Sequence, residues 1–177
     1  PLHCLKAERG WDDCCPFFDD DGQVYFVGTH FADKYKTYLY RMTPDGKNLI
    51  EDSKILINEG HGREASKLYK INGIYYHFFS EVKNGGRYIM MQRASTITGP
   101  YLERKQLSHV QREYNEPNQG GLVEGPDGKW YFLTHHGTGE WAGRIASLLP
   151  VHWRDDWPII GRVGQDGIGT MVWQTAK

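Results

Sequence analysis

Three stretches of the chain line up on a single glycine. They are CCPFFDDDGQVYFVGTH, ASKLYKINGIYYHFFS and GGLVEGPDGKWYFLTHH, centred on Gly22, Gly73 and Gly128. Each reads as an apolar strand, an Asp-Gly or Asn-Gly turn and an aromatic-rich second strand, the pattern of a β-hairpin. The glycines are 51 and then 55 residues apart, a spacing on the scale of recurring propeller blades. Counting back nine residues from each glycine reaches Asp13, Glu64 and Gln119. If the three repeats share one register, these side chains converge on one axis. Two carboxyls and an amide gathered there have the makings of a catalytic site.

Each period has room for two hairpins. The first continues through KTYLYRMTPDGKNLIEDSKIL, turning at Pro44-Asp45-Gly46. The second continues across Asn84-Gly85-Gly86 into RYIMMQRA and breaks at Thr98-Gly99-Pro100. The third continues across Gly137-Thr138-Gly139 into GRIASLLPV and then Trp157 to Gly161. Four short strands per repeat without a helical period predict an all-β protein, a β-propeller of about three blades near residues 10–55, 60–110 and 115–170. A β-sandwich is the competing reading, but it has no need of one register three times. Propellers close with ~4–8 blades, so three predict part of a larger ring. The missing blades are expected upstream, because GQDGIGTMVWQTAK reads as a closing strand and tail. Open sheet edges predict self-association or dependence on those blades.

The 177 residues, 39% of them hydrophobic, suffice for one compact soluble core. A formal net charge of −1 argues against a nucleic-acid partner, and no apolar run has membrane-spanning length. Cys4, Cys14 and Cys15 do not form a disulfide framework, and a buried structural role is expected for the last two. The chain opens at Pro1 without an initiator Met or signal sequence, which leaves localisation open.

The segment Trp11-Asp12-Asp13-Cys14-Cys15-Pro16-Phe17-Phe18-Asp19-Asp20-Asp21-Gly22 resembles the I-D-P-S-x-F-x-D-D-D-G stretch of glycoside hydrolase family 43. Glu64 to Tyr76 resembles that family's E-G-P-x-L-Y-K-x-x-G-Y-Y-Y. Ala94 to Tyr101 resembles A-R-S-x-S-I-T-G-P-Y. Asn118 to Val123, Gly143-Arg144-Ile145 and Pro150 to Gly161 are similar to its last blade. The matches run in order along almost the whole chain. The resemblance implies a five-bladed propeller of β-xylosidases, α-L-arabinofuranosidases and arabinanases that act with inversion. It implies Glu64 as general acid, Asp13 as the carboxylate that orients and tunes it, and Arg144, Gln119 and Asn118 at the sugar. No residue matches the general base, which belongs to the family's first blade. The chain is therefore expected to need the preceding blades of the same protein to be active.

The chemistry is consistent with these residues on its own terms. Inverting hydrolysis needs a protonated carboxyl and an ionised one ~6.5–9.5 Å apart. The acid must hold its proton near neutrality, and a neighbouring negative charge helps it do so. Asp13 would supply that charge to Glu64. The rivals are weaker: Glu59 lies in a loop-like Asn-Glu-Gly-His-Gly context, and strand alternation turns Asp12 away from Asp13. Asp19, Asp20 and Asp21 read as a solvated turn rather than a metal site. Tyr69, Tyr75, Tyr76, Trp130 and Tyr131 read mainly as blade core. No cofactor is required. In the family, the Gln119 position is often a His, sometimes tied to a central cation. An amide here puts a His-bound calcium in doubt, with His135 or His136 as substitutes. The alternative function is a non-catalytic, carbohydrate-binding propeller. Kelch and WD signatures are absent.

Overall fold

The computed structural model describes residues 5, 9–110, 118–137 and 143–171. Cys4 and the final segment after Met171 lie outside the described residues. Among these residues twelve strands form three four-stranded sheets, the first and third antiparallel throughout. The first holds β1 (Trp11–Phe18), β2 (Val24–His30), β3 (Lys36–Met42) and β4 (Leu49–Asn58), paired in chain order. The second holds β5 (Arg63–Ile71), β6 (Ile74–Lys83), β7 (Gly86–Ala94) and β8 (Glu103–Gln106), also in order. The third holds β9 (Asn118–Glu124), β10 (Trp130–Gly137), β11 (Arg144–Arg154) and β12 (Trp157–Ile160). Apart from a single 3-10 turn at Phe31–Asp33, the described residues contain no helix. No helix among the described residues is long and apolar enough to cross a membrane.

The chain divides into two compact units. One comprises Pro1–Phe79 and Gln92–Arg104; the other comprises Ser80–Met91 and Lys105–Lys177. The division runs through the second sheet.

In the first unit, period-two alternation along β1 to β3 gives the sheet two apolar faces. Phe17, Tyr25, Val27 and Leu39 pack with Leu68 of β5 and with Ile97. On the opposite face Phe26, Tyr38, Tyr40 and Met42 pack with Trp11, Val24 and Leu49. Cys15 packs beside the first cluster, whereas Cys14 is exposed and both thiols are free, so the expected burial does not extend to Cys14. Its thiol is nonetheless pushed up to about 11 by local desolvation, then by the charges of Asp12 and Asp13. It is a poor nucleophile there.

The aspartate run of the first hairpin is a second correction. Asp20 is a solvated turn residue, 83% exposed, but the Asp19 side chain is only 4% exposed. Asp19 accepts from Lys70 Nζ at 2.7 Å and from the Tyr75 hydroxyl at 2.6 Å, tying the β1–β2 hairpin to β5 and β6. Burial alone would raise its pKa, but the bonds from Lys70 and Tyr75 outweigh it and hold the carboxyl below its ordinary value. Asp19→Ala strips partners from a tyrosine and a lysine at once. It is expected to cost about 2–3 kcal/mol, the scale of a hydrogen bond to a charged group. Urea unfolding should show a lower midpoint at unchanged slope, whereas Asp20→Ala should shift it by less than about 0.5 kcal/mol.

In the second unit, β9 to β12 bury Leu122, Phe132, Leu149, Val151, Ile159 and Ile160. Leu107 is held in place by backbone bonds to Ile89, Ile160 and Gly169. The other face of the sheet leaves Val123, Leu133 and Leu148 about half exposed, with Leu133 and Leu148 directly paired.

Candidate active site

Asp13 stands at a β-bulge. Asp12 pairs with Thr29 and Cys15 with Val27, so Asp13 and Cys14 together oppose Gly28. Asp13 takes a left-handed backbone, φ 48°. Gln119 does the same at φ 58° in β9, where it and Gly120 oppose Thr134, whose hydroxyl donates to the Gln119 carbonyl. Each bulge has one glycine at its crowded point. A Cβ on Gly120 would meet the Leu133 carbonyl oxygen at 2.5 Å, and one on Gly28 would meet Cys14 Sγ at 3.0 Å.

In β5 the left-handed residue is Ala65, φ 66°, not Glu64. The count from the glycines slips by one in the second repeat. β1 and β2 are joined by a turn closed by the Asp19 N–H donating to the Gln23 carbonyl, and Gly125 donates likewise to Lys129. Those turns enclose three residues, whereas Asn72-Gly73 is a two-residue turn between β5 and β6. The structural equivalents are therefore Asp13, Ala65 and Gln119, and Glu64 sits one position earlier, level with Asp12 and Asn118.

The slip does not separate the two carboxyls. Asp13 Oδ2 accepts the Ala65 N–H at 3.0 Å, one residue from Glu64. Asp12 turns its carboxylate onto the Asp13 amide at 2.9 Å and is exposed, while Asp13 is half-buried and faces β5. The Asp13 pKa is raised by burial first, then by the charge of Asp12, against the Ala65 N–H bond, with Glu64 raising it further and Lys67 opposing. Lys67 is desolvated, which lowers its pKa, and its ammonium lies close enough to Asp13 for the two charges to act on each other.

Gln119 and Arg144 belong to the second unit. Gln119 is half-buried, and Arg144 is exposed at the first position of β11, paired with Gly137. The backbone of Asn118 opens β9 opposite His135; its side chain, like that of His136, lies outside the described residues. No cluster of three or more metal-ligating side chains occurs among the described residues. The expected core aromatics divide: Tyr76 is fully buried, Tyr75 packs at the core edge, and Trp130 meets Trp153 edge to face at 5.5 Å.

The model for "Glycosyl hydrolases family 43" matches residues 5–158. The chain belongs to this family. A provisionally named β-xylosidase of Xylanibacter ruminicola is 39% identical over 97% of this family 43 chain and 33% of its own length. A β-xylosidase of Formosa agariphila is 30% identical over 97% of the chain and 34% of its own. Among solved structures, a bifunctional GH43-CE protein of Bacteroides eggerthii matches with a TM-score of 0.74 at 32% identity. That match covers 90% of the family 43 chain and 20% of the solved one. The chain thus spans about a third of the length of these two relatives. Its four-stranded sheets are β-propeller blades.

Sequence reading missed two features of the site. The polar chain behind Ser66, described below, is built from residues whose partners are distant in sequence. Lys67 lies inside the Glu64-Ala65-Ser66-Lys67 motif but carries no signal that its charge acts on Asp13.

Proposed function

We propose that this chain contributes the acid side of an inverting glycoside hydrolase acting on xylose- or arabinose-containing plant polysaccharides and their oligosaccharides. The observation that carries the reading is the Ala65 N–H on Asp13 Oδ2, which fixes one carboxylate beside the strand of a second. Glu64 is the general acid and donates its proton to the glycosidic oxygen. Asp13 orients that proton and supplies negative charge next to it. The attacking water enters from the opposite face of the sugar and loses its proton to a carboxylate base ~6.5–9.5 Å from the acid. That base, with the blades that carry it, comes from the remainder of a longer polypeptide. Arg144, Gln119 and Asn118 contact the sugar. The names of the Xylanibacter and Formosa relatives support a xyloside as substrate. Any calcium would be structural, and the chemistry needs no cofactor.

The test is product stereochemistry. NMR of fresh hydrolysate from the complete enzyme on aryl β-xylosides should show α-xylose first, and the 177-residue chain alone should release no sugar above background. A first product of retained configuration, or turnover by the isolated chain at an enzymatic rate, would overturn the assignment.

Arg144 gives a separate expectation. Because it is exposed at a strand start, Arg144→Ala should leave thermal unfolding within about 1 °C. Turnover at low substrate should fall at least about tenfold in the complete enzyme, as for loss of a charged contact to a ligand. A large drop in Tm with unaltered kinetics would make it structural.

A further inference from the structure

A fully buried row of polar side chains runs behind the carboxyl pair, entirely within the first unit. Thr29, Thr37, Ser66, His77 and Gln92 are all at most 1% exposed. Its direction can be read from one end. Arg104 Nη2 donates to Gln92 Oε1 at 3.0 Å, so the amide nitrogen of Gln92 faces the other way. That nitrogen donates to the Ile57 carbonyl at 2.9 Å and to His77 Nδ1 at 3.0 Å. A ring nitrogen that receives an N–H carries none itself, so the proton of the neutral imidazole sits on Nε2.

Nε2 then donates to Ser66 Oγ at 3.1 Å. Ser66 Oγ lies 3.2 Å from Thr29 Oγ1, which lies 3.3 Å from Thr37 Oγ1, and in both bonds either hydroxyl can donate. The row therefore has one polarity from Arg104 to Ser66, and it joins the first sheet to the second. Burial, followed by the charges of Arg104 and Arg63, holds His77 down to about 3, in keeping with a neutral ring.

Ser66 directly follows Ala65, a non-glycine residue in the left-handed region whose N–H fixes Asp13. Such a conformation is strained and persists where its surroundings over-determine it. The Ser66 side chain is one such determinant, and His77 sets which way it points. We propose that His77, as the Nε2–H tautomer, is the positioning residue of the Asp13–Glu64 pair, acting through Ser66 to hold the Ala65 N–H on Asp13. The enzymatic importance of this role rests on the reading of that pair as reactive; the positioning itself does not.

Two NMR measurements on the full isotope-labelled chain test it. Long-range ¹⁵N–¹H correlation should show His77 with a protonated Nε2 and a bare Nδ1. The Asp13 carboxyl carbon, followed against pH, should titrate about half a unit or more higher in His77→Leu and Ser66→Ala. Both variants loosen the bond that stabilises the carboxylate. His77→Gln keeps a donor toward Ser66 and should stay within about 0.2 units of wild type. Should His77→Leu fail to fold, Ser66→Ala removes a single oxygen and carries the test. A proton on Nδ1, or an Asp13 midpoint in folded Ser66→Ala equal to wild type, would overturn the proposal. A Glu64→Gln enzyme of full activity would instead sink the catalytic reading and leave the positioning role standing.

Discussion

Glu64→Gln in the complete enzyme is expected to lower hydrolysis of unactivated xylo-oligosaccharides by more than about 10²-fold, the low end of what a positioned general acid contributes. An amide cannot give up a proton to the departing sugar hydroxyl. An aryl leaving group that departs as a stable phenolate needs no such proton and should lose far less. The comparison is internal to one protein, so misfolding cannot imitate it. Equal losses on both substrates would remove Glu64 from the role of acid. Asp13→Asn should behave differently. It keeps an oxygen able to accept the Ala65 N–H but deletes the charge, so kcat should fall while the KM of either substrate changes little.

The second large effect is on stability. His77 has an ordinary value near 6.5 when the chain is unfolded and about 3 when folded. Below pH 6.5 the unfolded chain takes up a proton that the native ring refuses, so stability is fully present above 6.5 and declines as pH falls toward about 3. The loss should reach a few kcal/mol, since each unit of difference is worth about 1.4 kcal/mol. Urea midpoints for wild type should fall steadily from pH 7 to pH 4. His77→Gln should be less stable at pH 7 but show a much flatter slope through that window. Asp13 works in the opposite sense. Its folded pKa lies above the unfolded one, so its contribution is present below that unfolded value and is lost as pH rises through the folded one. Because Asp13 is common to both proteins, comparing their slopes isolates the histidine. Parallel slopes would mean that His77 protonates in the native state at an ordinary pH.

The strands were readable because their determinants are local. Asp-Gly and Asn-Gly turns and aromatic-rich second strands each lie within a few residues of the structure they specify. The short strand Glu103–Gln106 has no such pattern and went unannounced. Asp13 and Glu64 were recognisable as a pair, but their register was not. A two-residue turn and a three-residue turn look alike when only the glycine is counted, so Ala65 was overlooked as the residue level with Asp13. Asp19 was misjudged for a related reason. An aspartate in an Asp-Asp-Asp-Gly run has the composition of a solvated turn, and nothing nearby reveals that Lys70 and Tyr75 will reach it from 51 and 56 residues away. His77 presents the same difficulty: its meaning depends on Ser66 and Gln92, and no periodicity links the three.

The recurring bulge also bears on how such a chain changes over evolutionary time. The same left-handed kink holds an aspartate in one strand, an alanine in another and a glutamine in a third. Its geometry is enforced by backbone pairing and by a glycine at the point of closest approach in two of them, not by the side chain it displays. The kink is a socket, and what is plugged into it can be exchanged one codon at a time without rebuilding the sheet. Strands of one geometry can then display acid, spacer or amide while the scaffold beneath them stays put.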